Sequence, residues 1–299
     1  MSGFAEFGFR AGWKVVSWLP ERVAVAVFHA GADRATRKRG KGVERLRANL
    51  RRVKPDISDS ELDALVKQGM RSYARYWMDT FRLHTFSRAD HLRRFRFDGE
   101  DVLARIAEQG GGVILALPHG GNWEAAGAWA ANGHGWKLIT VAERLKPEGV
   151  YQQFLAFRRA LGMEIIPTSG AERAPLDLLA EKLRDGYIVP LLADRDLSKR
   201  GVDVEFFGGR ARMPGGPALL ALRTGAPLYA VPMWNDPDGV AHGRLVGPIP
   251  VPAEGTTEER VRHLTQEIAD RLAAGIAEHP EDWHMLQRVW VDEPAQASV

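Results

Sequence analysis

His119 and Glu124 sit in the run Leu117-Pro-His-Gly-Gly-Asn-Trp-Glu124. An imidazole can take and return a proton near neutral pH. A carboxylate that accepts one ring N–H leaves the other ring nitrogen as a base. Spacing alone does not make the pair a site, because a lone histidine after a strand is as readily structural. The elements around it argue for more. Val113 to Leu117 is an unbroken apolar run after Gly110-Gly-Gly112, which reads as a strand buried on both faces of an α/β sheet. Pro118 cannot donate to a ladder, so the strand ends there and leaves His119 at its carboxyl end, where open α/β sheets place ligands. Gly120 and Gly121 allow a sharp turn, Asn122 caps the next helix, and Glu124 falls in its first turn. Histidine and carboxylate are then expected to meet across the loop.

His119-Gly-Gly-Asn-Trp-Glu124 resembles the His-x4-acid motif of the glycerophosphate and lipid A acyltransferase superfamily. Further segments are similar, in the same order, to the actinobacterial phosphatidylinositol mannoside acyltransferases. They are Thr140-Val-Ala-Glu-Arg-Leu-Lys-Pro147, Ala193-Asp-Arg-Asp-Leu197, Phe206-Phe-Gly208, Arg212-Met-Pro-Gly-Gly-Pro217 and Asp282-Trp-His-Met-Leu-Gln287. The resemblance covers nearly the whole chain. Against the family pattern, Gly120 replaces Ser, Glu124 replaces Asp and Asp194 replaces Glu; each acid stays an acid while its reach changes by one methylene. The resemblance implies that the histidine deprotonates an acceptor hydroxyl and the acid orients it. It also implies a long-chain acyl-CoA as donor substrate, a mannose hydroxyl of a phosphatidylinositol mannoside as acceptor, and no metal or other cofactor. Backbone N–H groups near Gly120 and Gly121 are expected to stabilise the oxyanion.

Along the chain, Ser58-x-x-Glu61 forms a capping box ahead of Leu62, Leu65, Val66, Tyr73, Trp77 and Phe81, so a helix is expected over about 59–83. Asp98-Gly99 marks a turn and 101–108 a helix. After the organising strand and a helix over 122–131, strands are expected at 137–141, 163–166 and 187–193, with helices at 147–161 and 174–184 between them. An edge strand at 202–207, a helix at 214–223, a buried strand at 227–234, a short strand at 244–246 and a helix at 257–277 complete the reading. Three strands thus finish in polar clusters: His119 with Glu124, Glu143 with Arg144, and Asp194 with Arg195 and Asp196. In a parallel sheet those ends share one edge. Gly120, Gly121, Asn122, Glu143, Arg158, Asp194, Arg195 and His284 are accordingly expected at the substrate. The interleaved carboxylates and arginines suit sugar hydroxyls and a phosphate, the alternative being ion pairs that stabilise strand ends. Trp123 and Trp129 read as packing, and His284 as a structural or rim residue in place of a second base.

The fold expected is α/β, a mostly parallel central sheet flanked by helices and glycerophosphate-acyltransferase-like, with amphipathic and basic helices at the N-terminus. The 299 residues are 45% hydrophobic, enough for a full core, and are read as one domain, 1–55 for membrane association and 56–299 catalytic. Without cysteine there is no disulfide framework, thiolate metal site or cysteine nucleophile. No apolar stretch approaches a bilayer span and no secretory leader is evident. Absent too are the Gly-x-Ser-x-Gly elbow, the phosphate loop, His-Glu-x-x-His and the dinucleotide fingerprint. Net charge is only +3, yet Arg34, Arg37, Lys38, Arg39, Lys41, Arg45, Arg47, Arg51, Arg52 and Lys54 face Glu44 alone in their window. With Phe4, Phe7, Phe9, Trp13, Val16, Trp18 and Leu19 ahead of them, they suit an anionic membrane surface on the cytoplasmic side. The alternative is a core-packing helix followed by a solvated basic helix. Nucleic acid is disfavoured because the aromatics precede the charges instead of interleaving with them. An acyl-CoA hydrolase, an acyltransferase for another lipid acceptor and a non-enzymatic lipid-binding protein stay open as rivals.

Overall fold

The computed structural model describes residues 12–143, 148–168, 173–196 and 201–291. Phe4, Phe7, Phe9, Arg144, Leu197 and the segment 144–147 lie outside the described residues. A helical stretch over 12–18 leads into α1 (Glu21–Lys38) and α2 (Lys41–Val53), separated where Arg39 turns left-handed at φ 46°. Then comes α3 (Asp59–Arg82), with the expected capping box in place: Glu61 N–H donates to Ser58 Oγ, and Ser58 N–H to the Glu61 carboxylate at 2.8 Å. Its stripe of Leu62, Val66 and Met70 packs on Val43, Leu46 and Leu50 of α2, as an amphipathic pair must.

The remaining elements are α4 (Arg88–Arg93), β1 (Phe95–Asp98), α5 (Glu100–Glu108), β2 (Val113–Leu117), α6 (Trp123–Ala128), β3 (Ile139–Ala142), α7 (Glu148–Ala160), β4 (Glu164–Pro167), α8 (Pro175–Arg184), β5 (Ile188–Leu192), β6 (Val202–Phe206), β7 (Gly209–Met213), α9 (Gly216–Thr224), β8 (Leu228–Ala230), β9 (Met233–Asn235), β10 (Ala241–Arg244) and α10 (Thr257–Glu278). β2 pairs in parallel with β5, Val113 opposite Ile188 and Leu117 opposite Leu192, and on its other side with β8. The parallel β3–β4 pair joins through a bridge between Leu138 and Ile188, reinforced by a Thr140 hydroxyl bond to the Pro190 carbonyl at 2.6 Å. Strand order is therefore β4-β3-β5-β2-β8, all parallel. All five residues of β2 are buried. Ile114 and Ala116 pack toward α8, α9 and α10, while Leu115 and Leu117 pack toward Phe95, Ala128 and Trp129. Such two-sided cover is what an unbroken apolar strand requires.

Several expectations are corrected. The strand expected over 227–234 is broken into β8 and β9 at Val231-Pro232, because proline has no N–H for the ladder. β10 lies upstream of the expected 244–246, whereas the edge strand expected at 202–207 is present as β6, paired on one side only, with β7. At the N-terminus the aromatic front divides. Trp13, 6% exposed, packs against Phe81, Phe154 and Phe157 at centroid distances of 5.0, 5.4 and 5.1 Å, and Val16 is buried, whereas Trp18 is 88% exposed. The basic run is less bare than its own window indicates, because α3 supplies acids from outside it. Arg47 pairs with Asp59 and Asp63 at 2.9 Å, and Arg51 with Asp59. Arg52 stacks over Trp290.

Candidate active site

β2 and β5 are neighbours in register, and two residues beyond their last paired positions stand His119 and Asp194. His119 Nδ1 meets Asp194 Oδ1 at 2.6 Å, and the His119 backbone N–H donates to Oδ2 at 2.8 Å. The indole N–H of Trp283 donates to the same Oδ2 at 2.9 Å. Asp194 is fully buried while the His119 side chain is 24% exposed. Burial pushes the Asp194 carboxyl up, but the His119 ring and the surrounding N–H donors outweigh it and hold the acid below the usual carboxylate range. The ring therefore presents Nδ1–H to a carboxylate and leaves Nε2 as the working nitrogen.

Glu124 does not take that role. Its carboxylate is bound by Arg158, through Nε at 3.1 Å to both oxygens and through Nη2 as well, and among the described residues it makes no hydrogen bond to His119. The expected meeting across the loop is thus corrected. A guanidinium forks onto a carboxylate with two charge-assisted bonds, which a single imidazole N–H does not match. Glu124 is 2% exposed and Arg158 19% exposed at the side chain, so this is a largely buried ion pair. Burial opposes the Arg158 charge, yet Glu124 dominates and raises the pKa of the guanidinium further.

The loop between them is held from behind by a C-terminal strap over Asp282–Met285. Gly121 N–H donates to the Asp282 carbonyl at 2.9 Å and His284 N–H to the His119 carbonyl at 2.8 Å. Gly121 adopts φ +55°, and a Cβ there would stand 2.8 Å from Met233 Cβ, so glycine is required. Its N–H, expected near an oxyanion, is spent on the strap. Asn122 is 1% exposed and its side chain accepts from Ala125 N–H at 2.9 Å, which makes it a cap only. His284 is buried, bonded through Nε2 to Ser72 Oγ at 2.8 Å, and burial followed by the nearness of His119 pushes its pKa down to about 3. Gly120, Gly121, Asn122, Asp194 and His284 do not line the cavity described next, so their expected contact with substrate is not what the geometry provides; Asp194 is buried behind His119 instead.

A cavity of about 860 Å³ opens beside His119. One part is apolar and runs along the β2 face beneath α6, past Leu115, Leu117, Trp129, Leu138, Ile188 and Met163. Its polar part carries His119, Glu124, Arg158, Glu143, Thr168 and Arg195. Glu143, Arg158 and Arg195 thus line one cavity with His119. Burial lowers the pKa of Arg195, opposed by Asp194 and Glu143. Trp123 is both wall and packing: it lines the cavity, meets the His119 ring edge-on at 5.8 Å, and lies 4.2 Å from Tyr76. Among the described residues no group of three or more His, Asp and Glu could hold a metal ion. A dyad of this kind, with its histidine lining the cavity, can deprotonate a hydroxyl held against an acyl group.

Ser72, Asp282 and Trp283 hydrogen-bond to this cluster, and residue-type reasoning missed them. Only the segment Asp282-Trp-His marked that part of the chain. The model of the bacterial lipid A biosynthesis acyltransferases matches residues 4–292. A phosphatidylinositol mannoside acyltransferase of Mycolicibacterium smegmatis is 43% identical over 286 residues, 96% of this chain and 91% of that protein. The protein of the same name from Mycobacterium tuberculosis is 42% identical over 294 residues, 98% of this chain and 90% of its own.

Proposed function

The chain belongs to the bacterial lipid A biosynthesis acyltransferase family, and from that premise we propose that it moves a long-chain acyl group from acyl-CoA to a mannose hydroxyl of a phosphatidylinositol mannoside. The observation that carries this reading is the His119–Asp194 pair at the polar end of a largely apolar cavity. His119 Nε2 takes the hydroxyl proton as the oxygen attacks the thioester carbonyl. The C–O bond forms, the C–S bond breaks, and the imidazolium returns the proton to the departing thiolate. Asp194, kept ionised, stabilises the imidazolium between those steps. The acyl chain lies in the apolar part, against Leu115, Leu117 and Trp129, while Glu143 and Arg195 face the sugar and phosphate at the mouth. No acyl-enzyme and no cofactor are called for.

The acceptor is a membrane lipid, and the reading includes docking on an anionic bilayer at its cytoplasmic face. What supports it is the outward face of the N-terminal helices, where Val15, Trp18, Val23 and Val27 are exposed and Arg22, Arg34, Arg37 and Lys38 flank them. No helix among the described residues is long and apolar enough to cross a membrane. The test is mass spectrometry of products from purified protein, acyl-CoA and a panel of glycolipid acceptors. Acylated mannoside, absent with His119→Ala, is expected. Free fatty acid as the sole product would assign a hydrolase instead.

A further inference from the structure

Trp283 touches neither the cavity nor the His119 ring, yet its indole N–H reaches the acid on which that ring depends. Two N–H donors, from the Trp283 indole at 2.9 Å and from the His119 backbone at 2.8 Å, converge on Asp194 Oδ2. This leaves Oδ1 as the oxygen aimed at Nδ1, at 2.6 Å. A carboxylate pinned at one oxygen from two directions cannot rotate about its own axis, and donors to the anion favour it over the neutral acid, the more so for a side chain that is fully buried. The indole cannot drift either. It is 1% exposed and wedged against Phe206, Phe207 and Trp290 at centroid distances of 6.0, 6.2 and 6.2 Å. The backbone that carries it is anchored at both ends. Asp282 accepts from Ser72 Oγ and from Asn235 N–H at 2.8 Å, while Asn49 Nδ2 donates to the carbonyls of Met285 and Gln287 at 2.7 and 2.9 Å. An antiparallel bridge sets Trp283 beside Gly120, so one strap fixes the backbone of the histidine loop and the orientation of its acid together.

We propose that Trp283 is a positioning residue for acyl transfer, acting through Asp194: its N–H aims the carboxylate at His119 Nδ1 and keeps it charged. The proposal rests on the functional reading above, in which His119 is the base. Trp290 supplies the matched control, since it is equally buried but donates its indole N–H to the Phe206 carbonyl at 2.7 Å, away from the pair.

The experiment compares Trp283→Phe and Trp290→Phe in acyl transfer from acyl-CoA to purified glycolipid, with melting temperatures measured on both. Trp283→Phe is expected to lower kcat by about tenfold to a hundredfold, the worth of one hydrogen bond to a charged group, with KM for acyl-CoA unchanged. The acid limb of kcat/KM should move to higher pH, because a carboxylate that has lost a donor takes a proton more readily. In an Asp194→Asn background the same replacement should change the rate less than about twofold, since effects transmitted through one residue do not add. Trp283→His, which keeps a ring N–H, should recover part of kcat. Equal rate losses in both tryptophan variants, additive loss in the Asp194→Asn background, or His no better than Phe would each overturn the proposal and assign Trp283 to packing. If Trp283→Phe does not fold, the donor-free Trp283→Leu takes its place: an acid limb moved to higher pH in it and restored toward the parent in Trp283→His supports the proposal, and an acid limb that is the same in both overturns it. Should His119→Ala itself keep the wild-type rate, it is the functional reading that fails, separately from Trp283.

Discussion

His119 has two acids within reach of its neighbourhood, and geometry divides their work. Asp194 extends from the strand beside β2, where register brings it under Nδ1, while Glu124 projects from the first turn of α6 toward a guanidinium. Their variants should therefore fail differently. Asp194→Asn is nearly the same size but accepts poorly from Nδ1–H, so kcat should fall by about 10² to 10⁴ with the fold intact, as positioned acid–base groups do when disabled. Glu124→Gln should instead leave Arg158 charged without its counter-ion and cost on the order of 3 kcal/mol of stability, the penalty for breaking a buried pair. Steady-state kinetics together with thermal melts separate the two. A Glu124→Gln protein that melts like the parent and loses only rate would return Glu124 to the chemistry.

Among the elements, the strap over Asp282–Met285 depends on pH through His284. Ser72 Oγ satisfies Nε2, whereas Nδ1 is buried with no partner, so the ring is held neutral. Its pKa is about 3 in the fold against an ordinary 6.5. Between those values the unfolded chain binds the extra proton and the folded one does not. This contribution to stability is thus complete above pH 6.5 and is lost progressively as the pH falls toward 3. From pH 7 to pH 5 the loss should be about 2 kcal/mol. Chemical denaturation at the two pH values should show it in the wild type and show a clearly smaller difference in His284→Gln. An unchanged difference would place the acid sensitivity elsewhere. Because His284 N–H holds the His119 carbonyl, acid that loosens this element should also release the His119 loop.

At the scale of the molecule, the N-terminal helices present one face to the body and one outward. The two tryptophans expected to act alike should not. Trp18→Ala removes an exposed side chain from the face proposed to dock and should weaken binding to anionic vesicles about tenfold with little change in melting temperature. Trp13→Ala removes a ring packed on three phenylalanines and should cost about 3 to 5 kcal/mol of stability. Vesicle sedimentation over a salt series reads the first effect and thermal unfolding the second. Attachment should weaken with salt through Arg22, Arg34, Arg37 and Lys38, which are exposed, more than through Arg47, whose charge is matched by Asp59 and Asp63. Equal vesicle binding by wild type and Trp18→Ala would move docking to another face.

Local pattern by itself determined the strand Val113–Leu117, its stop at Pro118, the capped helices at Ser58 and Asn122, and the gathering of polar residues at one sheet edge. Apolar periodicity, a missing N–H and a capping side chain act over a few residues and need no partner from afar. What only the tertiary structure decided is which residues meet. Asp194 is 75 residues from His119, and nothing in either segment says that β5 lies next to β2. Trp283 comes from beyond the last helix, and Asp59 and Asp63 neutralise arginines whose own window holds one acid. Pairing between strands and between charges is set by which elements bury one another's apolar faces, a property of the assembled sheet and helices that no single stretch carries.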